Sequence, residues 1–489
     1  MLRLTSVDLN KTGIETIAIP VCEDVEIYDD PTISLVIKKA KKLKEFKGKK
    51  NDEIIFYDPA EINAKRVMLF GLGKLEKINL ESLRKSAGKA VKRCIKMNLE
   101  DVLIAVPGAK KIKIKTPDKL KALMEGAFLG NYLFDKYKKD KNLKPLKKID
   151  FIASPGDVKK YNKLPSHIET VCSGTILARE WINTPSNDKR PDQFTRSIVN
   201  NARKAKLKVR VLTEKELKHE KCGAILAVGA GSRSAPRMII LEYSPKGAGK
   251  TIGLVGKGVT FDSGGINLKP TGSLEDMKMD MSGAAAVAAT LITAAKLKSR
   301  VKLVGIIPVV ENMPSGNACR PGDIVKSYNG KTVEIGNTDA EGRLILIDAI
   351  SYCIKNYKPK TLIDLATLTG ACVVALGEKI AGIFSSDEKL SIDICASGKK
   401  TNERCWSLPM PDDYKELLKS DFADIKNISS SRWGGAITAA LFLSEFVKDT
   451  KWAHIDIAGP AYLKNANDYC GPGGTGFGVR LLCDLLDRV

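Results

Sequence analysis

A chain of 489 residues is too long for one ordinary hydrophobic core, so its length argues against a single small domain and predicts two domains. Hydrophobic residues make up 43% and charged residues 28% of the chain, a composition that excludes intrinsic disorder. The net charge is +23, and residues 1–150 hold 33 Lys or Arg against 21 Asp or Glu.

The sequence lacks the features of a secreted or membrane-spanning protein. Its first 20 residues include four charged side chains, whereas a secretory signal needs an uninterrupted apolar segment. The longest apolar stretches, residues 283–295 and 365–377, are shorter than the roughly 20 residues that cross a bilayer. Eleven scattered cysteines without a CxxC pair favour reduced thiols over a disulfide framework. We therefore expect a cytoplasmic protein.

The first third alternates strands with helices, which predicts a small α/β domain over residues 1–155. Apolar patterns predict strands at 66–70, 101–106 and 149–153 and helices at 82–97 and 120–137. Lysine runs at 38–42 and 110–115 could attract the phosphates of a nucleic acid, although few aromatic residues interleave them. A solvated basic surface is the simpler interpretation, and DNA binding stays open as an alternative function.

The remainder predicts a larger α/β domain over residues 188–489, preceded by a linker helix region at 156–187. A helical stretch at 167–182 ends at a cluster of turn-forming residues, 183–187. Further patterns predict helices at 191–205 and 282–297 and strands at 208–212, around Ala224 and Met238, at 251–255 and at 302–310. The continuous apolar run 303–307 is typical of a strand buried on both faces, in a central mixed or parallel sheet flanked by helices.

Common catalytic motifs are absent. The chain has three histidines and neither an HExxH nor a GxSxG motif, which argues against a histidine zinc site or a serine triad. His454 lies in the apolar run 452–457, where a hydrogen-bonded core histidine is expected. Residues 247–251 resemble the end of a phosphate-binding loop, and 471–476 fit GxGxxG, but neither has the strand-to-helix context of a nucleotide site.

Charged residues cluster instead around two other segments. Lys257, Asp262, Lys269 and Asp280 follow the strongly apolar strand at 251–255, at an edge where α/β proteins place their sites. The spacing of Asp339 and Glu341 puts both side chains on one face of an extended chain.

Two such carboxylates repel each other unless a cation lies between them. Four carboxylates without a histidine suit Mn, Mg or Zn, and bridging carboxylates would favour a pair of ions. The alternative is ordinary salt bridging and helix capping, with Asp339 as the cap.

Two segments carry a family resemblance. Residues 255–287 and the octapeptide NTDAEGRL at 337–344 resemble the two signatures of the leucyl aminopeptidase family, and the likeness extends over about residues 170–489. The resemblance implies a dinuclear metallo-aminopeptidase. One metal would be bound by Lys257, Asp262, Asp280 and Glu341. The other would be bound by Asp262, Asp339, through its carboxylate and its backbone carbonyl, and Glu341.

The resemblance also implies a mechanism. The free α-amino group and the first carbonyl oxygen of the peptide would each bind one metal, and a bridging hydroxide would attack the carbonyl. Lys269 would stabilise the oxyanion, and Arg343 would hold a bicarbonate that shuttles the proton. Lys257 could bind a metal only as the neutral amine.

Substrate contacts and assembly follow from the same resemblance. The positions expected to bind substrate are Met277, Asn337, Thr367, Leu368, Gly370, Ala458 and Ala461. A mostly small and apolar lining suits leucine-like residues, because burying an unpaired charge is costly. The resemblance further implies a homohexamer. A metal-dependent phosphoesterase is the remaining alternative.

Overall fold

The structure is a computed structural model that describes residues 1–108 and 112–488. Lys110 and Lys111, part of the second lysine run, lie outside the described residues. The chain divides into two compact units, residues 1–172 with 464–472 and residues 173–463 with 473–489. The domain boundaries at 155 and 187 stay predictions. No helix of the described residues is both long enough and apolar enough to cross a membrane.

The first unit is built around one mixed sheet. Its strands are β1 (Leu2–Thr5), β2 (Ile14–Cys22), β3 (Glu53–Tyr57), β4 (Ala64–Gly73), β5 (Asp101–Ala105) and β6 (Lys148–Ile152). Its helices are α1 (Pro31–Lys42), α2 (Leu80–Lys96), α3 (Thr116–Gly130) and α4 (Pro155–Lys160), and α5 (Leu164–Asn183) contains the division between the units. The strand order is β1-β6-β5-β2-β4-β3, with β3 the antiparallel edge strand.

The second unit holds the larger sheet. Its strands are β7 (Lys208–Leu212), β8 (Arg237–Tyr243), β9 (Thr251–Gly256), β10 (Gly258–Asp262), β11 (Lys302–Asn312), β12 (Ile324–Lys326), β13 (Thr332–Glu334), β14 (Thr361–Ala366), β15 (Ala381–Ser385), β16 (Cys405–Ser407), β17 (Ile425–Lys426), β18 (Lys451–Asp456), β19 (Tyr462–Leu463) and β20 (Gly473–Gly474). Its helices are α6 (Pro191–Lys204), α7 (Glu214–His219), α8 (Gly223–Gly229), α9 (Ser282–Lys296), α10 (Glu341–Tyr357), α11 (Gly370–Leu376), α12 (Glu388–Thr401), α13 (Gly435–Ser444) and α14 (Val479–Leu486).

The large sheet has the order β16-β15-β18-β14-β9-β11-β8-β7, with β10 paired to β11. The central strands β18, β14, β9 and β11 run parallel, so their carboxyl ends share one edge. β8 and β15 run antiparallel to their inner neighbours β11 and β18. The predicted α/β fold with a central mixed sheet is confirmed, and the apolar run 303–307 is a buried part of β11.

Helices cover both faces of this sheet. The alanine-rich α9 is buried along residues 282–294, and α10 is buried along 341–353. Gly256 of β9 faces α9, because a Cβ there would lie 2.6 Å from the carbonyl oxygen of Gly283. Gly253 faces α10, where a Cβ would lie 2.8 Å from the sulfur of Cys353. The two helices therefore sit on opposite faces, close against the strands that lead to the carboxyl edge.

Two predicted elements were wrong. The strand expected around Ala224 is the helix α8, because a short apolar run does not distinguish a strand from a buried helix. The helix expected over 120–137 ends at Gly130. The side chain of Asn131 there exchanges two hydrogen bonds with the backbone of Leu146, at 3.0 and 2.7 Å, a distant contact that no local pattern reveals.

Candidate active site

Buried carboxylates converge at the carboxyl edge of the large sheet. Asp262 ends β10, Asp280 lies between a short 3-10 helix and α9, and Glu341 begins α10. One oxygen from each of these three side chains lies within 4.8 Å of the others, and all three residues are buried. Segments nearly eighty residues apart in the chain therefore meet at this edge.

Lys257 occupies the centre of this cluster. Its Nζ lies 2.8 Å from an oxygen of Asp280 and 2.8 Å from an oxygen of Glu341, and it donates to the carbonyl of Thr367 at 2.8 Å. The lysine reaches this position because residue 342 is glycine, where a Cβ would lie 2.5 Å from the lysine Cε. The strand end thus delivers one amine to two carboxylates.

Asp339 joins the cluster through a second lysine. The Nζ of Lys269 lies 2.9 Å from Asp262 and also contacts Asp339. The alternative that Asp339 caps the next helix is wrong. Ala340 is the N-cap residue of α10, and no side chain caps that helix end.

Amide and hydroxyl groups hold the carboxylates in place. Asn312 and the backbone N–H of Gly264 donate to Asp262 at 2.8 and 2.9 Å. The hydroxyl of Thr367 donates to Asp280 at 2.7 Å. The sequence motifs did not include Asn312. Its one distinguishing feature in the sequence is that it is a polar residue at the end of a long apolar strand.

Burial and charge crowding shift the pKa values of these groups. Burial raises the pKa of Asp280, Asp339 and Glu341, and the charge of Asp262 raises each of them further. Burial alone would lower the pKa of Lys257 and Lys269. The surrounding carboxylates outweigh it, so the pKa of both lysines is raised.

The donor set fits divalent metal ions. Asp280 Oδ2, Asp339 Oδ1 and Glu341 Oε1 are buried and accept no hydrogen bond of normal geometry, although each lies within ion-pair range of a lysine. Carboxylates crowded in this way favour bound cations, and oxygen ligands suit Mn, Mg or Zn. Over residues 1–108 and 112–488, the one group of acidic, cysteine or histidine side chains with metal-binding geometry is Asp262, Asp280 and Glu341.

Arg343 is a buried cation next to this cluster. Its Nη1 donates to the carbonyl of Asn427 at 2.8 Å, and its Nε has no hydrogen-bond partner. Burial lowers the pKa of Arg343 to about 10, partly offset by Glu341 and Asp456. The Asn427 side chain also accepts from Gly336 N–H at 2.8 Å. Asn427 carried no signal in the sequence.

A cavity of about 530 Å³ opens beside the carboxylates. The cavity is lined by all the candidate metal ligands, by both candidate catalytic cations and by six of the seven expected substrate contacts. Those six are Met277, Asn337, Thr367, Leu368, Gly370 and Ala458. The seventh, Ala461, is fully buried and is not part of this lining. Its carbonyl accepts from the backbone N–H of Thr475 at 3.0 Å.

His454, the glycine loop at 471–476 and the cysteines have structural surroundings of their own. His454 is buried, and its Nδ1 lies 2.6 Å from Asp364, which confirms the hydrogen-bonded core histidine. In the glycine loop at 471–476, Gly474 N–H donates to Asn183 at 2.7 Å, and no residue of the loop lines the cavity. None of the eleven cysteines, all of which lie among the described residues, forms a disulfide.

Comparison with known proteins gives a consistent result. A model of the cytosol aminopeptidase family catalytic domain matches residues 176–483, and a model of the N-terminal domain of that family matches residues 23–141. The probable cytosol aminopeptidase of Chlorobium phaeobacteroides is 40% identical over 501 residues, which cover 99% of each chain. That of Geobacter sp. strain M21 is 43% identical over 448 residues, 91% of this chain and 90% of the relative.

A solved structure agrees with these relatives. The bottromycin maturation enzyme BotP in complex with Mn is similar to this chain, with a TM-score of 0.87 and 32% identity over 97% of this chain and 99% of that one. The family indicated by the two sequence segments is therefore confirmed. Membership implies a metal-dependent aminopeptidase. By its two domains and its relatives, the chain belongs to the cytosol aminopeptidase family.

Proposed function

We propose that this protein removes N-terminal residues, preferentially leucine and similar apolar residues, from peptides with the help of two divalent metal ions. The observation that carries the proposal is the group of three buried carboxylates, Asp262, Asp280 and Glu341, with an oxygen of each within 4.8 Å of the others. Manganese is named in the solved BotP complex, which supports manganese as the first ion to test. Zinc and magnesium are the alternatives.

The proposed ligands divide between two positions. Lys257, Asp262, Asp280 and Glu341 would hold one ion, and Asp262, Asp339 and Glu341 the other. When bound, the ions supply polarisation of the scissile carbonyl and activation of the attacking water. Lys257 would have to give up its proton and its two ion pairs, which adjacent divalent cations favour.

The remaining residues would bind and orient the peptide. Lys269 is a cation in the cavity and would stabilise negative charge that develops on the carbonyl oxygen. Arg343 would bind a bicarbonate with its planar guanidinium, whose Nε has no hydrogen-bond partner, and so place a proton acceptor beside the scissile bond. Met277, Thr367 and Ala458 would form the wall against the side chain of the first residue.

Assembly and location extend the proposal. The resemblance supports a homohexamer, and the family description supports the cytoplasm. DNA binding by the basic first third has no observation in its favour. In the lysine run of α1, Lys39 pairs with Glu61 at 3.0 Å, and Lys41 donates to the carbonyl of Cys22 at 2.7 Å.

The test is a metal-restoration assay with a matched pair of variants. The purified protein is chelated, restored with Mn²⁺, and assayed on leucine p-nitroanilide, on its N-acetylated form and on a phosphoester. Wild type should cleave the free anilide only, because acylation turns the α-amine into an amide, which cannot bind a metal ion as the free amine would. Glu341→Gln should lose at least about 100-fold in kcat/KM, whereas Glu388→Gln, an exposed residue at the start of α12, should not.

Equal turnover of the acetylated substrate would refute the exopeptidase proposal. Turnover of the phosphoester alone would establish the rival hydrolase.

A further inference from the structure

Four cationic side chains line the cavity, and three of them belong to the site described above. Lys257 and Lys269 contact carboxylates, and Arg343 donates to a backbone carbonyl. The fourth, Arg432, has no carboxylate partner among the described residues, and its side chain is exposed. An exposed guanidinium in the wall of a peptide-cleaving cavity can bind a carboxylate of the substrate.

The surroundings of Arg432 leave its donors available and add positive potential to the cavity. Its guanidinium carbon lies 4.2 Å from the ring centre of Trp433, and stacking of this kind leaves the N–H donors free for another partner. The helix α13 begins at Gly435, three residues after Arg432, and Gly435 lines the same cavity; no side chain caps that helix end. The positive end of this helix therefore adds to the positive potential in the cavity.

The direction of the substrate identifies the ligand. If the proposed function holds, the peptide N-terminus lies at the carboxylates, and the residues after the scissile bond extend towards the solvent-exposed part of the cavity. A peptide of apolar residues has one negative charge, its C-terminal carboxylate. We propose that Arg432 binds this C-terminal carboxylate, so that the enzyme favours short peptides with a free C-terminus.

The size of the cavity limits the length of these peptides. A volume of about 530 Å³ is in the range of sites that enclose drug-sized molecules. We therefore expect the carboxylate of a peptide of two or three residues to come within reach of Arg432. In longer peptides the carboxylate lies beyond the cavity, and the contact is lost.

The experiment compares each peptide acid with its own amide. The kcat/KM values of Leu-Gly and Leu-Gly-Gly are divided by those of Leu-Gly-NH2 and Leu-Gly-Gly-NH2, for wild type, Arg432→Met, Arg432→Lys and Arg203→Met. The last variant removes an exposed arginine of α6, outside the cavity, and controls for net charge.

Wild type and Arg203→Met should prefer the acid by about twofold to fivefold, the scale of an exposed charge pair, for whichever of the two peptide lengths gives the larger ratio. Arg432→Met should bring the ratio close to one, mainly through KM for the acid, because the contact is present before and during the reaction. Arg432→Lys should retain part of the preference. High salt should lower the wild-type ratio, because exposed charges are screened.

A wild-type ratio of one at both lengths, or an unchanged ratio in Arg432→Met, would overturn the assignment. Absence of wild-type turnover on leucine p-nitroanilide, which has no carboxylate, would remove the underlying function as well and so distinguishes the two failures.

Discussion

The substitution Gly342→Ala tests whether activity requires the amine of Lys257 at its observed position. A Cβ at 342 would lie 2.5 Å from Cε and 2.8 Å from Nζ of Lys257. Ordinary contacts between such atoms are about 3.5–4.0 Å, so the lysine end would have to move by about 1 Å. Its contacts of 2.8 Å with Asp280 and Glu341 would then exceed hydrogen-bonding distance. A misplacement of this size costs on the order of 100-fold in rate.

The fold should survive the same change. Alanine is favoured over glycine in a helix by up to about 1 kcal/mol, which offsets part of the strain. We expect Gly342→Ala to keep a melting temperature near that of wild type while kcat/KM on leucine p-nitroanilide falls about 100-fold after Mn²⁺ restoration. Gly156→Ala is the matched control, since Gly156 is also the second residue of a helix and the nearest atom to its Cβ would be 3.9 Å away. Full activity in a folded Gly342→Ala protein would refute a requirement for Lys257 at its observed position.

Two further predictions concern buried polar contacts. Asn312→Ala removes the side-chain donor to Asp262 at 2.8 Å and to the carbonyl of Thr338 at 3.1 Å. The variant should lose about 2 kcal/mol in the free energy of unfolding, because the buried acceptors are left without these hydrogen bonds. It should also bind Mn²⁺ more weakly than wild type, as measured by titration calorimetry. Burial raises the pKa of Asp348 to about 7. Between about pH 4 and pH 7 the folded state therefore binds more protons at this residue than the unfolded state does. The free energy of unfolding that Asp348 contributes consequently falls as the pH rises through that window. Urea unfolding of wild type and Asp348→Asn should therefore show a difference that shifts in favour of the variant by roughly 3 kcal/mol from pH 5 to pH 8, and a constant difference would contradict the pKa shift.

Strong local patterns account for what the sequence predicted correctly. The strands β9 and β11 are continuous apolar runs and α9 is a long apolar, alanine-rich stretch, which is enough to predict buried elements there, and the charged residues after β9 fall at the carboxyl edge as expected. The convergence of Asp262, Asp280 and Glu341 could be inferred because the family resemblance supplies the long-range information that spacing alone lacks. Without it, salt bridging was an equal alternative.

The supporting contacts could not be predicted, because they depend on distant parts of the chain. Asn427 reaches the loop at Gly336 from ninety-one positions away, and nothing around it in the sequence indicates that role. Just after the helix end at Gly130, the side chain of Asn131 donates to the carbonyl of Leu146, fifteen residues later in the chain. Ala461 was assigned by family position alone, and its burial against Thr475 depends on a later segment of the chain.

Anomalous diffraction at the manganese edge, from crystals of the wild-type protein soaked in Mn²⁺, would show directly whether the carboxylates bind two metal ions. We expect two peaks roughly 3.5–4 Å apart, in contact with Asp262, Asp280, Asp339 and Glu341, with the Lys257 amine as a ligand of one. A map with no peak among these side chains, and Lys257 still bridging Asp280 and Glu341, would contradict this expectation.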